Sequence, residues 1–272
     1  MAISAGLASD LWRVAEELAD VAAARSLPLF RSRSLRAENK AETGFDPVTE
    51  ADREAERAMR ALLAERRADD GILGEEFGPL EGRSGLTWVL DPIDGTRAFL
   101  SGATTWGTLI GLDRGPVAAL GGPLLGIIDQ PYTRERFMGG LGRAEMVRDG
   151  VRVALETRPC AGLGEAILYS TYPEIGTAAE RAAFEAVRDR VRLTRYGFDC
   201  YAYALVALGQ VDLVIEAGLH PYDIGGPQAV IEAAGGVYTD WKGGSAHRGG
   251  RVIAAGDARA HAAGVALLSA VE

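Results

Sequence analysis

The sequence predicts a layered fold of class α/β (α+β layered), and three observations predict it. Short apolar runs separated by Gly, Pro and Asp turns crowd together between Thr87 and Met138. From about residue 145 such runs alternate with helical segments instead. The chain has 272 residues, 47% apolar and 25% charged, which suits a full-sized core and argues against disorder. One domain over residues 1–272 follows, with an N-terminal half of about 1–144 and a C-terminal half of about 145–272. There is no internal repeat and no low-complexity linker.

In chain order, Ser9 is a candidate cap for a first helix whose Leu11, Val14, Ala15, Leu18 and Val21 share one face; Pro28 ends or bends it. Arg31 to Pro47 is polar and Gly-containing and reads as strand plus loop. Thr49 to Arg67 is a second helix with acidic residues in its first turn, where the helix dipole favours them. Residues 69–71 (DDG) form a turn, and GILGEEF a short strand ending in two carboxylates. Thr87 to Leu90 is a buried strand running into a loop. Gly107–Leu112, Val117–Leu120, Leu124–Ile128 and Arg136–Met138 read as a mostly antiparallel meander. Beyond residue 145, strands at Ala166–Tyr169, Val191–Thr194, Val211–Ile215 and Gly236–Thr239 alternate with helices at Ala178–Arg190, Cys200–Leu208 and Ile224–Ala234. A last helix covers Ala258 to Val271.

Lys and Arg number 29 against 38 Asp and Glu, a formal charge of −9 with no strong basic run, so nucleic acid is not an expected partner. Cys160 and Cys200 have no metal-type spacing and make no disulfide framework; a reducing cytoplasm is the simpler setting. The N-terminal segment lacks an apolar core of signal-peptide length, and no run of 18 apolar residues predicts a membrane span.

The chemistry concentrates in Asp91-Pro92-Ile93-Asp94-Gly95-Thr96. Two carboxylates three residues apart after a strand can converge on hard cations, which prefer oxygen ligands; the Ile93 carbonyl could add another. Pro92 biases Asp91 toward extended backbone, Gly95 allows close approach of a ligand, and a helix starting at Thr96 would offer free amides to an anion. Taken alone, a surface Asp-Gly turn is the commoner reading. Gly74-Glu75-Glu76 alone is more often a solvated turn, Asp223 alone an N-cap, and Asp46 to Asp52 (DPVTEAD) alone a helix start. His220 reads equally as a residue flanking this chemistry or as a surface or packing residue. No Gly-x-Ser-x-Gly elbow or Gly-x-Gly-x-x-Gly fingerprint supports a serine nucleophile or a dinucleotide site.

Together these segments resemble the inositol monophosphatase family. GEE at 74–76, WVLDPIDGT at 88–96, PYDI at 221–224, AAGG at 233–236 and DPVTEAD at 46–52 carry the resemblance, in order and spacing, over nearly the whole chain. It implies the five-layer αβαβα sandwich of the inositol monophosphatase and fructose-1,6-bisphosphatase type, as a homodimer. It also implies two or three Mg2+ ions held by Glu75, Asp91, the Ile93 carbonyl, Asp94 and Asp223. Glu75, Thr96 and Asp52 would orient an attacking, metal-activated water. Asp94, Gly95 and Thr96 would meet the phosphate, and Gly197 to Asp199 and Glu216 the rest of a small phosphorylated metabolite. ENKAETGFDPVTEAD, DPIDGTRAFLSG, TTWGTLIGL, GIIDQP and LTRYGFDCYAYAL look like the bacterial histidinol-phosphate phosphatases within the family, with Arg97, Trp106 and a substrate-side Arg195. That subgroup implies hydrolysis of L-histidinol phosphate in histidine biosynthesis. The alternatives are an inositol-1-phosphate or broad sugar-phosphate phosphatase, a nucleotide bisphosphatase, or a non-catalytic regulatory protein on the same fold, which the presence of every matched carboxylate disfavours. One departure stands out: Gly225-Gly226-Pro227 replace larger residues. Two glycines are expected to loosen the helix that holds Asp223, so metal affinity rather than metal identity is at stake.

Overall fold

The computed structural model describes residues 3–33, 35–39 and 47–271. Asp46, at the start of the DPVTEAD segment, lies outside the described residues. Helix α1 (Ala5–Ser26) is capped by Ser4, whose Oγ accepts the Leu7 amide at 3.3 Å. The expected cap, Ser9, lies inside the helix, because Leu7 and Ala8 are good helix formers and Ser4 offers an earlier oxygen. Leu11, Val14, Ala15 and Leu18 are buried on one face, with Ala19 and Ala22 completing the stripe; Val21 is only half-buried. β1 (Ala37–Asn39) pairs antiparallel with β2 (Pro47–Thr49), which leads into α2 (Glu50–Arg66). Asp52 closes the cap of α2 by accepting the Thr49 amide at 2.9 Å.

An eight-stranded sheet follows: β3 (Gly71–Gly74), β4 (Gly78–Leu80), β5 (Leu86–Asp94), β6 (Gly107–Arg114), β7 (Pro123–Gln130), β8 (Glu135–Gly140), β9 (Arg143–Arg148) and β10 (Val151–Ala154). Its order is β10-β9-β8-β7-β6-β5-β3-β4, and only β3 and β5 run parallel. Helix α3 (Thr96–Ser101) leaves directly from the end of β5. Val117–Leu120, expected as a strand, contains a 3-10 turn at Val117–Ala119. β6 and β7 pair with each other directly, so this segment is only their connection. The sheet runs past residue 145 to Ala154, because β9 and β10 continue the meander.

The second sheet, ordered β12-β11-β13-β15-β14, contains β11 (Ile167–Ser170), β12 (Leu193–Tyr196), β13 (Leu213–Leu219), β14 (Val237–Thr239) and β15 (Gly250–Ala255). β15, between β13 and β14, is absent from the sequence reading. Its apolar run is short and follows a polar stretch of turns, so periodicity alone does not separate it from a loop. Helices α4 (Ala178–Arg188) and α7 (Ala258–Leu268) cover one face of this sheet. Helices α5 (Tyr201–Ala207) and α6 (Pro221–Ala233) fill the space between the two sheets, burying Leu109, Ile128 and Phe137 on one side and Val214, Val252 and Ala254 on the other. Helices α1 and α2 cover the outer face of the first sheet. The result is the expected αβαβα order of layers. Among the described residues no helix is long and apolar enough to cross a membrane.

Candidate active site

Side chains alternate faces along a regular strand, so residues three apart, such as Asp91 and Asp94, should point in opposite directions. They do not, because β5 carries a bulge between them. Asp91 lies opposite Leu109, whereas Asp94 lies opposite Gly107, leaving one extra residue on the β5 side. The bulge is pinned by Thr108, whose hydroxyl donates to the Pro92 carbonyl at 2.9 Å, and by the Ile93 amide, which donates to Asp91 Oδ1 at 3.0 Å. Asp94 Oδ2 in turn accepts the Cys200 amide at 2.7 Å, tying the end of β5 to the start of α5.

Glu75 reaches the same place because β3 and β5 are parallel neighbours in register. Gly74 sits beside Leu90, and the Glu75 amide donates to the Leu90 carbonyl at 3.2 Å. Asp223 arrives from the other side on the first turn of α6, its Oδ2 accepting the His220 amide at 2.7 Å. One carboxylate oxygen each from Asp91, Asp94 and Asp223 lies within 4.8 Å of the others.

The glycines of α6 do the opposite of what the sequence suggests. Gly225, Gly226 and Pro227 are all buried. Gly111, Gly126 and Gly139 stand side by side across β6, β7 and β8 and form a smooth floor beneath the helix. A methyl group on Gly126 would lie 2.3 Å from the Gly226 carbonyl, and one on Gly111 would lie 2.9 Å from Gly225. Backbone therefore packs on backbone, and the missing side chains seat α6 and Asp223 rather than loosen them.

Beside the cluster, Gly95 adopts a left-handed φ of 80°, and a Cβ there would lie 2.9 Å from the Asp199 side chain. Thr96 opens α3 with its hydroxyl 3.2 Å from the Ile93 carbonyl and 3.4 Å from Asp52 Oδ1. The opposite wall comes from the second sheet. Glu216 on β13 accepts the Thr171 amide at 3.0 Å, the Thr171 hydroxyl, and the Tyr203 hydroxyl at 2.7 Å. Asp199 accepts the Thr105 hydroxyl at 3.0 Å. Arg97 donates to Tyr172 at 2.7 Å across the mouth. The open cavity between these walls measures about 410 Å³.

Burial pushes the carboxyls of Asp91 and Asp94 well above the usual range. The neighbouring charge of Glu75 adds to this for Asp91, and that of Asp199 for Asp94. Asp223 is raised to about 7, chiefly by burial and then by Glu75. Asp52 is raised to about 6 by burial, with the hydrogen bonds from Thr49 opposing it. Crowded oxygen donors of this kind, Asp91 buried and Asp94 and Asp223 half-buried, suit a hard divalent cation, whose charge would remove the repulsion. Burial and the charge of Asp94 raise the Cys200 thiol well above its ordinary value, which leaves it a poor nucleophile.

A family model described as the inositol monophosphatase family matches residues 8–272. The chain belongs to that family. Its relatives include a histidinol-phosphatase of Mycobacterium tuberculosis, 34% identical with 87% of this chain and 90% of that protein covered. A chloroplastic bifunctional phosphatase of Arabidopsis thaliana is 45% identical over 73% of this chain; the match spans 56% of that longer protein. The solved structure of an inositol monophosphatase from Zymomonas mobilis superposes with a TM-score of 0.82 at 39% identity, covering 96% of this chain and 98% of that one. The protein is thus an inositol monophosphatase-family phosphatase, and phosphatases of this family act on small phosphorylated substrates.

In this phosphatase Glu75, Asp91, Ile93, Asp94, Gly95, Thr96, Asp199, Glu216 and Asp223 all line the one cavity. Asp52 stands behind Thr96 rather than on the cavity wall. Arg195 does not reach the cavity: it lies exposed on the edge strand β12, with its guanidinium over the Phe198 ring. Gly197 is likewise off the wall, its carbonyl facing the Thr105 hydroxyl at 3.4 Å. Tyr172 and Glu174, which the sequence reading passed over, do line it. They sit in the connection after β11, where no periodic pattern or motif marks them.

Proposed function

We propose that this phosphatase hydrolyses the phosphate monoester of a cationic metabolite, L-histidinol phosphate, and so serves histidine biosynthesis. The observation that carries this reading is the charge of the cavity lining. Among the described residues, seven carboxylates and a single guanidinium line it. Four of those carboxylates (Glu75, Asp91, Asp94 and Asp223), with the Ile93 carbonyl, are assigned to magnesium. That leaves Glu174, Asp199 and Glu216 against Arg97 on the leaving-group side, an environment that suits an ammonium or imidazolium better than a neutral polyol.

Bound magnesium would supply Lewis-acid activation of water and neutralisation of the phosphate charge. The residues of the chain do the rest. Thr96 and Asp52 form the pair that orients the attacking water, with Asp52 able to take up its proton because burial holds its pKa near 6. The backbone at Gly95 and Thr96 faces the phosphate where α3 begins. Glu75 completes the water's surroundings from the end of β3. A homodimer belongs to the same proposal and is tested by light scattering on the eluting protein.

The deciding measurement is magnesium-dependent phosphate release from L-histidinol phosphate and from inositol 1-phosphate, compared as kcat/KM, with a chelator control. A preference for histidinol phosphate of tenfold or more supports the reading. A clear preference for inositol 1-phosphate replaces it with the inositol-phosphatase alternative.

A further inference from the structure

Glu56 lies on α2, one turn beyond Asp52 and on the same face, and it is fully buried, with 0% exposure. A buried carboxylate needs donors, and this one has several. Its Oε2 accepts the Glu76 amide at 2.7 Å; its Oε1 accepts the Arg60 Nε at 2.7 Å and the Phe77 amide at 3.3 Å. Arg60 also donates to the Gly78 carbonyl. The guanidinium carbons of Arg57 and Arg60 lie 5.1 and 6.0 Å from the centre of the Phe77 ring. The turn that follows β3 is therefore gripped at each residue after Glu75, and the Glu75 amide itself is tied to Leu90. Gly74 makes the grip feasible: a Cβ there would lie 2.0 Å from Glu56 Oε1.

The same helix meets this turn a second time at Asp52, whose carboxyl is close enough to feel the charge of Glu75. Two carboxylates four residues apart on one helix are separated by about 6 Å of rise. One lies near enough to Glu75 to feel its charge, and the other holds the backbone just beyond it. We propose that Glu56 is the positioning residue for Glu75: by accepting the Glu76 and Phe77 amides it holds Glu75 in the orientation that lets it join Asp91 in binding a divalent cation. The inference rests on the assignment of Glu75 as a metal ligand under the proposed function. It assigns to Glu56 a role beyond that of an ordinary buried ion pair with Arg60.

All three partners of the Glu56 oxygens are donors. Glutamine in its place must turn an NH2 group toward one of them, so Glu56→Gln loosens the turn without emptying the space. The test is Mg2+ binding by titration calorimetry on the wild type, Glu56→Gln, Glu75→Gln and the double variant, each confirmed folded by circular dichroism. Loss of an outer support of this kind is expected to weaken Mg2+ binding by about tenfold or more. The double variant should bind no more weakly than Glu75→Gln alone, because Glu56 acts through Glu75. Should Glu56→Gln fail to fold, Glu56→Asp, which keeps both acceptors with a shorter reach, is expected to show a smaller loss that likewise vanishes in the Glu75→Gln background. If Glu75→Gln weakens binding while the Glu56 variant binds as the wild type does, or if the two losses simply add, the positioning role is overturned. If Glu75→Gln leaves Mg2+ binding unchanged, the metal assignment of Glu75 falls and takes this proposal with it.

Discussion

The two walls of the cavity are both acidic, yet they treat their carboxylates differently. On the wall built from β5 and α6, Asp91, Asp94 and Asp223 each receive one backbone amide and otherwise face one another. On the wall built from β13 and α5, Glu216 receives three hydrogen bonds. The first wall keeps lone pairs in reserve, so its charge is stable only when a cation is present or protons are taken up. On the second, Glu216 is largely satisfied from within, while Asp199, which accepts the Thr105 hydroxyl, still has lone pairs to offer a leaving group. The difference teaches that an acidic cavity can hold reactive carboxylates and scaffold carboxylates side by side, told apart by how many donors each already has.

The sharpest way to break this comparison is Asp91→Asn. Turnover should fall below detection in a phosphate-release assay, while thermal unfolding in a chelator stays unchanged or improves, because one of the crowded charges is gone. Substantial activity in the folded variant would contradict the metal-site reading.

Gly126→Ala should act next most strongly, through the seat of α6. The added methyl meets the Gly226 carbonyl. Overpacking of this kind costs about 1–3 kcal/mol, read from urea unfolding, and Mg2+ binding should weaken as Asp223 moves. Unfolding unchanged from the wild type would show that the glycine floor is not tight.

On the second wall, Asp199→Asn should raise KM for histidinol phosphate by about tenfold with less change in kcat, as expected on losing a hydrogen bond to a charged group. Inositol 1-phosphate should be affected much less. An equal loss for both substrates would place Asp199 in general support rather than in recognition of the leaving group.

The smallest effect is the pH dependence of the metal-free protein. The Asp223 carboxyl is raised to about 7 in the fold, against about 4 in an unfolded chain. The fold thus favours its neutral form. The stability this contributes is complete below pH 4 and is lost as pH rises through 7. In a chelator, Tm should drop by a few degrees between pH 5 and 8, and Mg2+ should flatten that slope. A Tm that rises over this interval would reverse the picture of an electrostatically crowded first wall.

Much of this molecule can be read from its residues in order. Local chemistry determined the first two helices, the meander after Thr87, the helix start at Thr49 and the run from Asp91 to Thr96. Turn residues, caps and hydrophobic period are properties of neighbouring residues, and the ordered blocks of acidic motifs pointed to the family. Tertiary structure alone decided what those residues do together. The register of β5 against β6 creates the bulge that turns Asp91 and Asp94 to one side. The glycine floor under α6 converts an apparent weakness at Gly225 and Gly226 into close packing. The place of β15 inside the second sheet, the retreat of Arg195 to an exposed edge and the hold of Glu56 on the turn after Glu75 also depend on partners far away in the chain. Such contacts leave no periodic trace in the sequence, because they are set by which strands and helices come to lie side by side.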